Sequence, residues 1–436
     1  MRRLYLSFGL AALGFHSAFA QNDAITSLPV RGNGSIRQPI SLEPSGPLNL
    51  NTALQLALNA NPEVSAAQHE LNAQTGSILQ AKALPNPAVS ALMEDTRQAT
   101  RTTTVQINQE VELGGKRTAR TEVAERAYDI AAVELKTKRA QISAEVMAAF
   151  YSVLVSQERL RLVQSSLELA HSATQTAAKR VKAGRASPVE ETKSTIAEAS
   201  AKLELNQAQN ALATARQQLT TFWGNAHPQF EKAEGQLDYT FVLPDFANLS
   251  NQIAASPVLQ RAKLEIERQQ ALIKVENSRR VPNVTVTLGA KRDEQLGLNQ
   301  AVLGVSIPIP VLNTNQGNIQ EAVSRTEKAK DEHVAVQLRL SNELTAAYGR
   351  FTTSRQQMES LQQDILPSAQ SAYTAARTGY ELGKFNVLDV LDAQRTLFQS
   401  QLQYVNALAD IHRAEADIYR VLGTTPITQP KELSHE

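Results

Sequence analysis

Two kinds of hydrophobic pattern occur along the chain, and each occurs twice. Around 104–113 and 283–290, apolar and polar residues alternate strictly, which predicts strands with one apolar and one polar face. The same alternation recurs in a weaker form around 87–94 and clearly around 303–309. We therefore predict two strand pairs, with strands at about 86–94, 103–113, 283–291 and 301–311.

The long stretches that follow each strand pair have a helical pattern. The 68 residues between Gly115 and Gly184 contain neither Gly nor Pro, and their apolar residues recur at near-heptad spacing. Such a segment forms a helix of about 100 Å that packs as a coiled coil. We predict long helices at about 116–183, 188–222, 318–382 and 387–421, with a shorter helix before each strand pair, at 63–82 and 258–280. Pro367 and Gly349 should kink the third long helix.

These patterns are two copies of one unit. Gly184 and Gly224 are forty residues apart, as are Gly383 and Gly423. Both copies have the order helix, strand pair, long helix, tight turn, long helix, which indicates an internal duplication. We place the first repeat at 49–224 and the second at 251–423. The intervening segment 225–250 is expected to form a belt around the helices.

The two ends of the chain have other patterns. Residues 1–20 combine a basic start, a short apolar run and a small-x-small motif, which predicts a cleaved signal peptide. Residues 21–48 are rich in Pro and are expected to form an extended arm, and residues 424–436 a disordered tail. The apolar run of the signal segment is too short to span a bilayer as a helix.

Composition excludes several classes of function. The net charge of the 436 residues is +1, which argues against a nucleic-acid partner. The chain has no Cys, so it has no disulfides and no thiolate chemistry. None of the seven His residues stands three or four positions from another, and the sequence has no nucleophile elbow, P-loop or HExxH motif. We predict no enzyme activity, no cofactor and no metal site.

The strands have the length that crosses a bilayer when tilted. Four strands cannot close a barrel, and an open sheet edge in lipid leaves backbone groups unpaired, so several chains would have to combine their strands. A soluble amphipathic hairpin remains an alternative from this pattern alone. The segments 86–113 and 283–312 contain no Phe, Tyr or Trp, so the aromatic girdles usual in outer-membrane barrels are missing.

Two motifs resemble those of the outer membrane factor, or TolC-like, family of efflux ducts. The segment Gln109–Arg117, with Gly114 and Gly115 at a strand-to-helix junction, resembles the branch that serves cobalt–zinc–cadmium efflux. The segment Asn386–Ala393 resembles the family's pore-end motif. The resemblance covers nearly the whole chain after the signal segment.

This resemblance implies a mainly α fold with a small membrane β-barrel, built from duplicated units of a strand pair and a long helical hairpin. It implies a homotrimeric α-barrel/β-barrel duct in the lipid of the bacterial outer membrane, with the helices in the periplasm. The implied partners are a periplasmic adaptor protein and an inner-membrane RND-type pump, and the implied cargo is heavy-metal cations. A drug or solvent duct of the same family, or a periplasmic coiled-coil adaptor or scaffold, remains an alternative.

The two helical turns are the predicted adaptor-docking tips. In the family an Arg-Leu-Ser motif marks such tips, and the first turn keeps its Arg and Ser but has Ala for Leu. The second turn departs further, so the resemblance implies docking less strongly there. The predicted docking residues are Gly184, Arg185, Ala186, Ser187, Gly383, Lys384 and Phe385.

Two carboxylates follow the second turn. Asp389 and Asp392 are three residues apart, so they share one face of a helix. A solvated outer face is the ordinary explanation for such a pair. The resemblance implies instead that they face the pore axis at the periplasmic constriction, where three chains would contribute six carboxylates. The first repeat has Glu190 and Lys193 at these positions and cannot form the same ring.

Overall fold

The computed structural model describes residues 43–238 and 243–424. The predicted signal peptide, most of the predicted arm and all but the first residue of the predicted tail lie outside these residues. The described helices are Leu50–Ala60 (α1), Pro62–Lys82 (α2), Lys116–Lys182 (α3), Pro188–Thr221 (α4), Phe246–Gln252 (α5), Pro257–Ser278 (α6), Gln316–Ser360 (α7), Leu366–Glu381 (α8) and Val387–Leu422 (α9). The described strands are Ala88–Glu94 (β1), Thr102–Val111 (β2), Val284–Asp293 (β3) and Leu298–Ser306 (β4).

The four strands form one antiparallel sheet in the order β1-β2-β3-β4. The central pair, β2 and β3, joins the two repeats, with pairing from Thr102↔Asp293 to Val111↔Val284. The register aligns the apolar positions of all four strands, so that Val89, Ile107, Leu288 and Leu303 form one cross-strand row. One face of the sheet is therefore apolar through most of its height, as the alternating pattern predicts.

Among the residues that the structure describes, none covers the apolar face of the sheet. Val89 is 72% exposed, Leu288 56% and Leu303 78%. In the part of the chain that the structure describes, β1 and β4 each have a strand partner on one side only. The sheet thus presents an uncovered apolar surface and two open edges.

Prolines determine where β1 begins and where β4 ends. We predicted a first strand from 86 and a fourth strand to 311, but β1 begins at Ala88 and β4 ends at Ser306. Pro87 precedes β1, while Pro308 and Pro310 follow β4. Ile307 and Ile309 continue the alternating apolar pattern beyond Ser306. Pro308 and Pro310 have no backbone N–H to donate to a neighbouring strand, so the strand itself ends before them.

The fourth strand also starts earlier than predicted, at Leu298, because its pairing with β3 extends to Asp293. The tight loop between these two strands contains Gly297 at a φ of +69°. A glycine there lets the chain reverse at once, so both strands keep their partners up to the loop.

The long helices extend from the sheet and form two hairpins. α3 has 67 residues, about 100 Å at 1.5 Å per residue, and it packs along α2, α4, α6 and α9. The predicted third long helix is α7 followed by α8, which are joined by a π-helical turn at Leu361–Ile365. That turn lies directly before Pro367, where a kink was predicted. At Gly349, the other predicted position, the helix is not interrupted, since α7 continues from Gln316 to Ser360.

The sequence patterns missed two short helices, α1 and α5, which precede the shorter helices of the two repeats. α1 buries Leu50, Ala53 and Ala57 in a cluster that also contains Phe150 and Trp223. A second cluster joins Leu249, near the end of the segment 225–250, to Leu344 and Ile411. The two clusters thus pack α1 and α5 against the long helices α3, α7 and α9.

A buried carboxylate fixes the described end of the N-terminal arm. Glu43 accepts hydrogen bonds from Trp223 Nε1 at 3.2 Å and Asn225 Nδ2 at 2.6 Å. It also accepts from the backbone N–H groups of Gln229 and Phe230 at 2.7 and 3.0 Å. These four donors satisfy both oxygens, which burial away from water requires.

Within the described residues, no helix combines the length and the apolar character that a membrane span needs.

Candidate functional site

The strand-to-helix junction of the first repeat contacts the second repeat. Gly114 and Gly115 both have left-handed φ angles, +72° and +73°, and Gly115 precedes the first residue of α3. A Cβ atom on Gly114 would lie 2.7 Å from Val281 Cβ, so only glycine fits there. Lys116 Nζ donates to the backbone oxygen of Val281 at 2.5 Å and also to Asn283 Oδ1.

Next to this junction, one arginine ties α2 to the start of α3. Arg120 Nη1 donates to Glu112 Oε1 at 2.7 Å. Its Nε and Nη2 donate to the backbone oxygens of Ala81 and Ala83, both at 3.1 Å. These contacts satisfy carbonyl groups at the C-terminus of α2, which has no further helical turn to bond them. The five bonds of Lys116 and Arg120 thus tie the junction of sheet and helices to both repeats.

The first tip is a tight turn between α3 and α4. Gly184 has a φ of +66°, and Arg185 N donates to Arg180 O at 2.8 Å, which ends α3 with a left-handed cap. Ser187 Oγ accepts from Val189 N at 3.3 Å and caps α4. Arg185 and Ser187 are exposed, and Ala186 is half-buried. Within the described ranges 43–238 and 243–424, the Arg185 side chain has no ion-pair partner, and the tip presents it beside a small apolar side chain.

The second tip has the same backbone but a stronger cap. Gly383 has a φ of +71°, and Lys384 N donates to Gly379 O at 2.8 Å. Asn386 Oδ1 accepts from Leu388 N at 2.8 Å and from Asp389 N at 3.1 Å, while Asp389 Oδ2 accepts from Asn386 N at 3.1 Å. This reciprocal pair is a capping box. One oxygen of Asp389 is thus part of the helix start.

The aromatic ring of the second tip rests on a glycine. A Cβ atom on Gly379 would lie 2.2 Å from the Phe385 ring, so the ring packs directly on the α8 backbone. Even so, Phe385 is 49% exposed. The sequence predicted Phe385 as a tip residue but did not indicate that its ring would pack on Gly379. Gly379 lies six residues earlier, inside an ordinary helical pattern.

The two tips touch each other within one chain. The Arg180 guanidinium lies over the Tyr380 ring, 4.5 Å from its centroid. A cation over an aromatic face is attracted by about 0.5–2 kcal/mol, depending on its exposure. Both hairpins therefore end at the same level. No local sequence pattern indicates this pair, because the contact depends on how the two hairpins lie side by side.

Asp392 lies near positive charge. Its Oδ1 accepts from Arg395 Nη2 at 2.7 Å, and both side chains are largely exposed. It lines a groove of about 510 Å³ between α4 and α9, together with Lys193. Asp389 and Asp392 are both exposed, as the predicted shared face requires. Each retains an oxygen free of the intrachain bonds just described, so both can still face water or cations.

The first hairpin also has a polar bridge between its helices. Glu198 Oε1 on α4 accepts from Lys202 Nζ at 2.8 Å and contacts His171 Nδ1 on α3 at 3.0 Å. Hydrogen bonds from Lys202 and then His171 lower the pKa of Glu198 to about 2. The matching residue of the second hairpin is Leu397, which is buried. The two hairpins therefore differ at this position, although the second hairpin has its own ion pair between helices, Arg350 with Asp417 at 2.8 Å.

The same side chains do not form a metal site. The described residues bring together no three His, Asp or Glu side chains in a metal-binding arrangement. What the arrangement offers is a set of exposed charged groups at the two tips and an apolar sheet about 100 Å away along α3.

Known proteins share both the sequence and the fold. Residues 53–225 and 248–424 match the family described as Outer membrane efflux protein. The chain is 45% identical over 426 residues to the cobalt-zinc-cadmium resistance protein CzcC of Cupriavidus metallidurans, which covers 97% of this chain and 100% of that protein. It is 26% identical to the nickel-cobalt-cadmium resistance protein NccC of Alcaligenes xylosoxydans xylosoxydans, over 64% of each protein. A solved structure of CusC has a TM-score of 0.74 at 17% identity and covers 86% of this chain and 92% of CusC.

Proposed function

The chain belongs to the outer membrane efflux protein family, and from this premise we propose that it forms the homotrimeric outer-membrane duct of a tripartite efflux pump for heavy-metal cations. The duct is passive and has no catalytic role of its own. The pump is an inner-membrane RND-type transporter, and a periplasmic adaptor joins it to the tips. Family membership argues against the adaptor or scaffold alternative.

The open sheet is the observation that supports this function best. One face is apolar and uncovered, and both edge strands lack a second partner within the described chain. In a bilayer each unpaired backbone group costs several kcal/mol, so the edges must pair with other copies. Three chains supply twelve strands, and in a closed barrel the apolar face contacts lipid while the polar face lines the channel.

The two hairpin tips are the proposed docking site for the adaptor. They lie side by side, since Arg180 contacts Tyr380, and they are the end of the molecule farthest from the sheet. At the first tip the docking residues are Gly184, Arg185, Ala186 and Ser187. At the second tip they are Gly383, Lys384 and Phe385. The exposed Arg185 and the half-exposed Phe385 ring offer charge and apolar area, the contacts that interfaces favour.

Asp389 and Asp392 are the proposed constriction residues. Three copies place six carboxylates at the periplasmic end, where a charged ring in a narrow neck attracts ions of opposite sign. Arg395 moderates this field because it pairs with Asp392. Exposed ion pairs of this kind are weak, so the ring keeps a net negative charge that favours cations.

Heavy-metal cargo follows from the relatives rather than from a site in this chain. CzcC, which is 45% identical over its full length, is named for resistance to cobalt, zinc and cadmium. A duct needs no tight ligand site of its own, because strong binding would slow release of the ion. Metal selection therefore resides in the pump, and the duct contributes a cation-attracting entrance.

Complementation of a deletion strain tests this function. Cells that express the wild-type chain should grow at higher cobalt, zinc and cadmium concentrations than cells with an empty vector, and should accumulate less metal. Toluene and hydrophobic antibiotics in the same panel test the organic-substrate alternative. Protection against the organic compounds alone would establish that alternative, and protection against neither class would overturn the efflux function.

A further inference from the structure

The segment that follows β4 is strongly apolar and uncovered. We call residues 307–312 the apolar strap. Ile309 is 82% exposed, Val311 75% and Leu312 93%. Pro308 and Pro310 leave the strap without two of its backbone donors, and a tight turn, in which Val311 N donates to Ile309 O at 2.9 Å, redirects the chain. The strap therefore presents several large exposed apolar side chains directly after the last hydrogen-bonded residue of β4.

An uncovered groove lies just before the opposite edge strand. We call it the edge groove. It measures about 610 Å³ and is formed by the end of α2, the start of α3 and the connection to β1. Its apolar lining includes Leu84, Ala81 and Val123, and Leu84 is 66% exposed. Leu79, one turn before the end of α2, is 72% exposed as well.

Closure of the sheet brings the strap and the groove together. The two open edges are β1 and β4, so a closed barrel places β4 of one chain beside β1 of the next. Neighbouring strands of this sheet are antiparallel. The residues that leave β4 therefore pass the residues that enter β1, and the strap at 307–312 meets the connection at 83–87 of the neighbour.

We propose that the apolar strap of each chain packs into the edge groove of the next chain and seals the trimer where the sheet joins the helices. The occupant of the groove is a second copy of this chain. The contact extends the pairing of β4 with β1 of the next chain toward the helices. It lies beyond the prolines that end the backbone hydrogen bonds of these two strands. It rests on the proposed trimer and adds to it three identical contacts outside the barrel.

Disulfide cross-linking tests the contact, and the natural absence of Cys makes it specific. Leu84→Cys is combined in one chain with Ile309→Cys or with Leu312→Cys. After oxidation in isolated outer membranes, we expect at least one combination to give covalent dimers and trimers that reductant returns to monomers. A disulfide requires Cα atoms about 4.4–6.8 Å apart, so only direct neighbours qualify.

Leu303→Cys with Leu84→Cys is the matched control. Leu303 is 78% exposed and lies six residues before Ile309, about 20 Å away along an extended chain. It should not cross-link to Leu84. Trimers on native gels without a cross-link from either strap combination would overturn the contact but leave the duct intact, and equal cross-linking of the control would overturn it too. A chain that runs only as a monomer would overturn both the contact and the proposed assembly.

The dissociation temperature of the trimer gives a second measurement. Leu84→Ala and Leu312→Ala should each lower it, and the double variant should lower it by less than the sum, because both remove one contact. Leu303→Ala combined with Leu84→Ala should be additive. Additive shifts in both combinations would place the strap against lipid instead.

Discussion

The two hairpin tips have one backbone and two surfaces. Both end their first helix with a glycine in the left-handed region, Gly184 and Gly383, and both begin the next helix with a side-chain cap. The surfaces differ at nearly every other position. The first tip presents Arg185 and Ala186, while the second presents Lys384 and a Phe385 ring packed on Gly379.

The carboxylates after the two tips differ in the same way. The second tip is followed by Asp389 and Asp392 on one exposed face, whereas the matching residues after the first tip are Glu190 and Lys193, of opposite charge. The duplication thus preserved the turn that a helical hairpin needs and left its surface free to diverge. We expect the first tip to dominate docking and the second to control the ion entrance.

The largest expected effect is the loss of metal resistance when the charge of the first tip is reversed, compared with the same change at the second tip. Arg185→Glu reverses an exposed charge without a partner to lose, so it should abolish cobalt, zinc and cadmium resistance while trimer and insertion stay normal. Lys384→Glu should reduce resistance less. Minimum inhibitory concentrations measure the effect, and native gels of the same membranes control for assembly. Equal losses at both tips would contradict the division of roles.

Charge at the entrance is the next comparison. Asp389→Asn with Asp392→Asn removes six charges from a trimer and should lower cation preference in planar-bilayer recordings. The effect should shrink at 1 M salt, where charges are screened within about 3 Å. Glu190→Gln with Lys193→Gln is the matched change after the first tip and should leave selectivity as in the wild type. A double Asp variant with unchanged selectivity would place the pair on an outer, solvated face.

The caps should differ by a smaller amount. Asn386→Ala removes a cap with two bonds and its capping box, so it should cost about 1–2 kcal/mol of local stability. Ser187→Ala removes one bond of 3.3 Å and should cost about 0.5 kcal/mol. Hydrogen exchange of the first turns of α9 and α4 in the trimer measures both. A larger cost at Ser187 would reverse the comparison.

The smallest effect concerns pH. The pKa of Glu198 is lowered from its ordinary 4.5 to about 2 by Lys202 and His171. A lowered pKa means that the bridge stabilises the first hairpin above about pH 4.5 and is lost as the pH falls toward 2. The segment around Leu397 in the second hairpin has no carboxylate at the matching position and should not respond. Hydrogen exchange across pH 5 to 3 compares the hairpins, with Glu198→Gln as the control that should make the first one insensitive.

Much of the fold could be predicted because its signals are local. Strict alternation located the strands, and the spacing of Gly184, Gly224, Gly383 and Gly423 revealed the duplication. The same local rule misplaced the end of β4, since Ile307 and Ile309 alternate with prolines that cannot bond. The capping box could also have been predicted from the sequence, because Asn386 and Asp389 have the required spacing of three.

Other features could not be found because they depend on long-range packing. Nothing near Glu43 in the sequence indicates that Trp223 and Asn225 will donate to it. The Arg180–Tyr380 contact and the Arg120 bonds to the end of α2 likewise join segments far apart in the chain. The polar character of these side chains predicts that they need hydrogen-bond or charge partners. Which residues serve as partners depends on the fold.

The pairing of β2 with β3 has a consequence for how the protein is made. Thr102 pairs with Asp293, so the centre of the sheet joins residues 191 positions apart. At about 5–20 residues per second, synthesis needs about 10–40 s to supply the second strand after the first. Until β3 is present, β1 and β2 can pair only with each other, and such a hairpin has an apolar face and an open inner edge, which favour aggregation. We therefore expect the first repeat to need protection from aggregation until the second repeat is present, and we expect the wide sequence separation of β2 and β3 to slow sheet assembly.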